Sequence, residues 1–231
     1  MRLLKMLSLA IFLFCGLLAA RPGHAQSQKI CENSPVPTGW VVTAVNSQLG
    51  NPCAPNRQIT ITQLPASAND MSAVCGDSAL PSNWVFVSVY DVSQCAPYQS
   101  SNIKRANFVS GSMCDLSPVP PGYVVKDVFP ANATCAPARE FTLAQIPASA
   151  TSMSGVCANS PLPSGWAYTS FFNSPSCSPY QAGNMQLVSS ASELMCGASA
   201  IPAGYSVNAI ETTAVCGKYR QYLIRKTQPE G

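Results

Sequence analysis

A ten-residue pattern, C-x-x-S-[PA]-[VLI]-P-x-[GN]-[WY], occurs five times in the 231-residue chain. The copies align without gaps and begin at intervals of roughly 40 residues, a period that is typical of repeat proteins. In such proteins small units bury their apolar faces against one another. The pattern therefore predicts a tandem array of five units, whose first cysteines are Cys31, Cys75, Cys114, Cys157 and Cys196.

Each copy contains a proline that is followed two residues later by glycine or asparagine, as in Pro37 and Gly39. Proline fixes φ and glycine tolerates positive φ, so this segment is predicted to be a tight turn. After the turn, an aromatic residue begins an alternating apolar segment that predicts a β-strand. The serine of each copy is interpreted as a hydrogen-bond partner for backbone amides of the loop. A nucleophilic serine would need a general base, and none accompanies it.

A second cysteine follows the first by about 20 residues and precedes another strand-like segment, and here the copies alternate between two types. Copies one and three carry Arg57 and Arg139 four residues after this cysteine, and copy five carries Arg220 there. An apolar residue also precedes every first cysteine, Ile30 included, which predicts a short third strand. We expect the N-terminal strand to cap the first unit as its equivalents cap the later ones.

The chain has 11 cysteines, and the ten that follow Cys15 are evenly spread, as expected for a disulfide framework. Pairing the second cysteine of one unit with the first of the next would leave Cys31 and Cys216 to close a ring. Pairing within units is favoured, and each bond would contribute about 3 kcal/mol by closing a short loop. The favoured pairs are Cys31–Cys53, Cys75–Cys95, Cys114–Cys135, Cys157–Cys177 and Cys196–Cys216.

The sequence thus predicts an all-β, disulfide-rich array of five small units, each with two or three strands. Linear stacking is favoured over a closed ring, because the two copy types alternate and the copy number is odd. Segments 67–74 and 149–156 are candidates for a helical turn. The predicted divisions are a signal peptide at 1–25, repeats at 26–74, 75–113, 114–156 and 157–195, and a truncated repeat at 196–231.

The first 25 residues have the features of a secretory signal peptide. Arg2 and Lys5 precede an apolar run, and small residues lead to a cleavage site after Ala25. The run is about 15 residues long, whereas spanning a bilayer takes about 20. We expect the mature chain to be exported to the periplasm or the medium, without a transmembrane segment.

Removal of this leader would remove the single histidine, His24, and three of the 13 basic residues. Ten basic and ten acidic side chains would remain, and a net charge of zero argues against a nucleic-acid partner. The C-terminal basic cluster is interpreted as a solvated strand edge; it comprises Lys218, Arg220, Arg225 and Lys226.

Catalytic chemistry is not indicated by the mature sequence. Without histidine it has no Ser-His-Asp or Cys-His arrangement, and it has no C-x-x-C pair for a metal. Four acids at non-equivalent offsets are interpreted as solvated surface groups, not as a catalytic pair; they are Asp77, Asp91, Asp115 and Asp127. We expect a non-enzymatic protein without a cofactor or metal.

Two sets of aromatic residues are candidate ligand contacts. The ring positions could form a stacking platform for sugars, although the favoured interpretation is that each ring fills its own unit's core against that unit's disulfide; they are Trp40, Trp84, Tyr123, Trp166 and Tyr205. A second set, Tyr98, Tyr180 and Tyr219, follows the second cysteine by three residues and is the better candidate for an exposed contact.

The cysteine-bounded unit resembles those of small exported repeat proteins of Gram-negative bacteria, over nearly the whole mature chain. This resemblance implies export, disulfides and β-structure, and it transfers no functional residue. The sequence is compatible with a non-catalytic binding or adhesion module for a glycan or a protein. The alternative is a structural or protective envelope protein, or a secreted inhibitor.

Overall fold

The computed structural model describes residues 25–47, 50–76 and 78–227, so the predicted signal peptide, apart from Ala25, and Asp77 lie outside it. The described chain is all-β, with five three-stranded antiparallel sheets in tandem. Their strands are β1 (Ser27–Cys31), β2 (Trp40–Asn46) and β3 (Gln58–Gln63) in unit 1; β4 (Asp70–Cys75), β5 (Trp84–Tyr90) and β6 (Ser100–Arg105) in unit 2; β7 (Ser110–Cys114), β8 (Tyr123–Phe129) and β9 (Glu140–Gln145) in unit 3; β10 (Ser152–Cys157), β11 (Trp166–Phe172) and β12 (Ala182–Leu187) in unit 4; and β13 (Ser192–Cys196), β14 (Tyr205–Glu211) and β15 (Gln221–Lys226) in unit 5.

The helical turns considered for 67–74 and 149–156 are wrong. These segments lead into β4 and β10, which pair with β6 and β12. The helical structure of the described residues consists of short 3-10 turns before the second cysteine of units 2, 4 and 5, at Ser93–Cys95, Pro175–Cys177 and Ala214–Cys216.

The last strand of each unit lies at the centre of its sheet, between the other two. The strand that ends at a unit's first cysteine pairs with the central strand of that same unit. Thus β1 pairs with β3 in unit 1, and β4 pairs with β6 in unit 2. This confirms the expected role of the N-terminal strand. The basic residues of β15 lie on a central strand, so the predicted strand edge at Arg225 and Lys226 is wrong.

The proline–glycine turns form as predicted. The Trp40 amide donates to the Pro37 carbonyl at 3.1 Å, and the same bond recurs in the other four units at 2.9 to 3.2 Å. Gly39 has φ +82°, a conformation that favours glycine because glycine has no Cβ. The turn therefore has glycine at the position immediately before the strand.

Every described cysteine pairs within its own unit, as predicted, with Cα–Cα distances of 5.3 to 5.4 Å. Each bond joins the end of the first strand to the loop before the central strand. The alternative pairing between consecutive units is thereby excluded.

The hydrophobic cores of units 2, 3 and 4 are each built from three consecutive units, whereas those of units 1 and 5 are built from two. In unit 3, Tyr123 and Leu143 of its own sheet pack with Val85 of unit 2 and with the Cys157–Cys177 disulfide of unit 4. The cores of units 2 and 4 repeat this arrangement. The ring positions of units 1 to 4 therefore pack in cores that contain the disulfide of the following unit, and the prediction that they pack against their own disulfide is wrong.

The repeated serine joins each unit to the one before it. Ser160 Oγ accepts a hydrogen bond from the Val125 amide at 2.8 Å and donates to the Val125 carbonyl at 3.4 Å. Ser78, Ser117 and Ser199 accept the equivalent amide bonds at 2.8 to 3.2 Å, and all four serines are buried. The serine side chain thus supplies hydrogen bonds to backbone groups on the outer edge of a strand, where no neighbouring strand pairs with them.

Contacts between units join neighbours in sequence, and the five units form a linear array as predicted. The second strand of each unit lies against the first strand of the next: β2 on β4, β5 on β7, β8 on β10 and β11 on β13. The first and last units consequently each have one outer face that no other described unit covers.

Replacing an interface serine should weaken the array. Ser160→Ala leaves the buried Val125 amide without its partner, so we expect the free energy of unfolding to fall by about 1–3 kcal/mol. The measurement is urea unfolding followed by tryptophan fluorescence at low protein concentration. Ser34→Ala is the matched control, because Ser34 is the equivalent serine of unit 1, where no described unit precedes it. Equal losses in the two variants would contradict the interface role.

The first disulfide should be the first to be reduced under native conditions. Cys31 is half-buried and Cys53 is 8% exposed, whereas the cysteines of the four later disulfides are 0% exposed because a preceding unit covers them. Limited phosphine reduction, alkylation and peptide mapping should label Cys31 and Cys53 before the others. Earlier labelling of Cys114 or Cys135 would be inconsistent with the packing described here.

Candidate functional site

Units 1 and 2 meet at a bridge formed by Glu32, Arg57 and Tyr98. The Arg57 guanidinium donates to Glu32 Oε2 and lies 2.9 Å from Oε1, while the Tyr98 hydroxyl donates to Oε1 at 2.9 Å. The guanidinium also lies 5.2 Å from the centre of the Tyr98 ring. The second tyrosine set is therefore half-buried between units instead of freely exposed.

The bridge accounts for one difference between the copy types in units 1 to 4, since an odd unit supplies the arginine and the following even unit supplies the tyrosine. Its hydrogen bonds from Arg57 and then from Tyr98 lower the pKa of Glu32 below its ordinary value. A carboxylate that accepts several such bonds is stabilised in its charged form.

The equivalent bridge between units 3 and 4 is incomplete. Arg139 Nη1 donates to the Tyr180 hydroxyl at 3.0 Å, but Asp115 stands where unit 1 has Glu32 and its side chain is one methylene shorter. A cavity of about 460 Å³ lies here, lined by residues that include Asp115, Phe141, Asn159 and Tyr180. Partial burial raises the pKa of Asp115, with Arg139 opposing that rise.

A second cavity, of about 290 Å³, lies on the other side of Tyr180, between units 4 and 5. Its walls include Gln181, Lys218 and Tyr219. The Tyr219 ring packs at 5.2 Å from Phe171 of unit 4, and the Lys218 ammonium lies 5.3 Å from the centre of the Tyr219 ring. The structure thus brings two of the predicted tyrosines, Tyr180 and Tyr219, to one surface.

We name this surface the Tyr180 groove and define it by Asp115, Asn159, Tyr180, Gln181, Lys218 and Tyr219. Two of its acceptor atoms, Asn159 Oδ1 and Gln181 Oε1, are buried and have no hydrogen-bond partner among the described residues. Buried polar atoms are nearly always paired, so these two oxygens would gain a partner once their side chains turn toward a donor in the cavity. Sequence reasoning missed Asn159 and Gln181, since Asn159 occupies a variable position of the repeated pattern and Gln181 follows Tyr180 without a chemical signature of its own.

The ring positions are mostly in the cores. Trp84 is 3% exposed and Trp166 is 8% exposed, Tyr123 is also buried, and Trp40 and Tyr205 are half-buried. A sugar could not stack on Trp84 or Trp166 without unpacking the core that they fill. The Tyr180 groove is therefore the better candidate for a ligand site.

The acidic candidates within the described residues lie on different elements of the fold. Asp91 is exposed and accepts from Gln99 Nε2 at 3.2 Å, Asp127 lies on β8, and Asp115 lines the groove. The described residues contain no group of three or more His, Cys, Asp or Glu side chains that could hold a metal ion. They also contain no helix that is long and apolar enough to cross a membrane.

No family model, curated protein or solved structure matches the chain. The site is therefore interpreted from its own geometry: two aromatic rings, unpaired amide acceptors and one carboxylate around adjoining cavities.

The lowered pKa of Glu32 predicts a pH-dependent contribution to stability. A carboxyl group whose pKa is lower in the folded state stabilises the protein at pH values above the pKa that the group has in the unfolded chain, about 4.3. This stabilisation is lost as the pH falls through the pKa that the group has in the folded state. Glu32→Gln should therefore lose about 0.5–1 kcal/mol at pH 7, the partly exposed ion pair limiting the effect, and less at pH 3.

Thermal unfolding from pH 3 to pH 7 measures this difference. Asp115→Asn is the control, because burial raises the pKa of Asp115 and its ionised form is not stabilised in the folded state. That variant should keep wild-type stability at pH 7 or exceed it slightly. A larger loss for Asp115→Asn than for Glu32→Gln would contradict the assignment of the bridge.

Proposed function

We propose that the chain is an exported, non-catalytic binding module whose ligand site is the Tyr180 groove, and that its ligand is a hydroxyl-rich molecule such as a glycan. The observation that supports this most directly is that Asn159 and Gln181, whose side-chain oxygens have no hydrogen-bond partner among the described residues, line one cavity. Both lie in the same cavity walls as Tyr180, so polar and aromatic groups converge on one place.

A glycan matches this set of groups chemically. Its hydroxyls can donate to amide and carboxylate oxygens, and the apolar C–H faces of its rings can pack on tyrosine, which presents a large surface with a polar tip. The two cavities, of about 460 and 290 Å³, are close to the size of small-ligand sites, which begin at roughly 300 Å³. Asp115 also lines the larger cavity and adds a carboxylate acceptor.

The surrounding framework suits a preorganised site. Tyr180 follows the buried Cys177, Asn159 follows the buried Cys157, and these two cysteines are bonded to each other. Because the disulfide fixes both segments before a ligand arrives, binding costs less conformational entropy. Five disulfides are typical of a non-reducing environment, and with the leader-like N-terminus they support action in the periplasm or outside the cell.

A second candidate function is structural or protective, without a small-molecule ligand. The burial of Trp84 and Trp166 favours it, because those rings then serve the core and leave no repeated stacking platform. The resemblance to exported repeat proteins is compatible with either function.

Glycan-array screening followed by calorimetry on the best hit tests the proposal. Tyr180→Ala should weaken binding at least tenfold, since stacking on the ring is lost. Tyr98→Ala is the matched control, because it removes the equivalent tyrosine at an interface where Glu32 already occupies the bridge. It should bind like the wild type.

A second variant tests the groove without removing an aromatic ring. Asp115→Glu should extend a carboxylate toward Arg139, as Glu32 does toward Arg57, and so weaken binding while preserving or raising stability. The absence of any glycan bound by the wild type, or equal effects of Tyr180→Ala and Tyr98→Ala, would refute the Tyr180 groove as the site and favour the structural function.

A further inference from the structure

The outer face of unit 5 exposes apolar groups whose equivalents are less exposed at every earlier interface, half-buried at Val45 in unit 1 and buried in units 2 to 4. Ile210 is 53% exposed, whereas the residues at its position in units 2, 3 and 4 are each 6% exposed, because they pack against the following unit's disulfide. Those residues are Val89, Val128 and Phe171. Ile201, whose equivalents are half-buried at the edges of their cores, is also exposed.

The outer face of unit 1 exposes the complementary half of the same interface. Ser34 is half-buried, whereas its four equivalents are buried and bonded to the preceding unit's backbone. The Cys31–Cys53 disulfide, at the position that fills the preceding core elsewhere, is likewise the least buried of the five.

We propose that the outer face of unit 5 binds the outer face of unit 1 of a second copy, so that chains associate head to tail. The interface would repeat the packing that the chain already uses four times internally. Ser34 would bond the backbone of Val207, as Ser78 bonds the backbone of Val42, and the Cys31–Cys53 disulfide would pack on Ile210. The inference is independent of the proposed ligand site, which lies between units 3 and 5.

The contact is weaker than the internal interfaces because of Ser206. This exposed serine stands at the position of Val41, Val85 and Val124, which are 0% exposed and pack in the core of the following unit. A head-to-tail contact joins two different surfaces, so each added copy presents a free face to the next. Such contacts form an open series of copies unless the rotation between neighbours closes a ring. Association is therefore reversible and increases with concentration.

Sedimentation velocity over a wide concentration range tests the proposal, using the chain secreted from its own leader. The wild type should form dimers and longer species as its concentration rises. Ile210→Asp should remain monomeric, and Ser206→Val should associate at a concentration at least tenfold lower. Val109→Asp is the matched control, because Val109 is 80% exposed on unit 3, away from both faces, and this variant should associate like the wild type.

Mixing two blocked variants tests the head-to-tail geometry itself. Ile210→Asp blocks the unit 5 face and Ser34→Arg blocks the unit 1 face, so each alone should be monomeric while their mixture forms dimers and nothing longer. A wild type that stays monomeric at millimolar concentration would overturn the proposal. So would a mixture that does not dimerise, or an equal effect of Ile210→Asp and Val109→Asp. Far-UV circular dichroism and cooperative thermal unfolding confirm that each variant is folded.

Discussion

The disulfide of one unit completes the hydrophobic core of the unit before it, and the architecture depends on that packing. A unit of about 40 residues buries too little apolar surface to be stable by itself. Here Val85 enters the unit 3 core from one side and the Cys157–Cys177 disulfide enters it from the other. The bond therefore acts twice, since it constrains its own loop and fills a neighbour's core, and the stability of each unit depends on the presence of its neighbours.

Local features of the fold could be predicted from the sequence because they depend on local chemistry. The turn before Trp40 follows from proline and glycine, and the cysteine pairing follows from repeat symmetry, since pairing within units uses all ten cysteines in five equivalent bonds. The core that each disulfide enters could not be predicted. An alternating strand shows which residues share a face, but it does not show which unit covers that face. A short strand before Cys75 could be predicted, but its extension back to Asp70 could not, because the register shift between Met71 and Val74 interrupts the two-residue period.

The candidate site could be predicted only in part. Tyr98 and Tyr180 occupy the same position relative to their cysteines, so the sequence gives them equal weight. Their surroundings differ because the residue facing them, Glu32 or Asp115, lies more than 60 positions earlier in the chain. One methylene separates a filled bridge with an ion pair from a cavity of about 460 Å³. Function in this array is thus expected where equivalent positions differ in size, since the shared positions are used in packing.

Comparing equivalent positions of the five units also indicates which interfaces are the strongest. The residue that faces the next unit is valine in units 1 to 3, Ala167 in unit 4 and Ser206 in unit 5. Full burial of a valine side chain stabilises an interface by about 1.5–3 kcal/mol. Burial of a serine hydroxyl is unfavourable unless the hydroxyl forms a hydrogen bond. The first three interfaces are therefore the most apolar and the outer face of unit 5 the least. Such a gradient lets the internal array form first and keeps any contact between chains reversible.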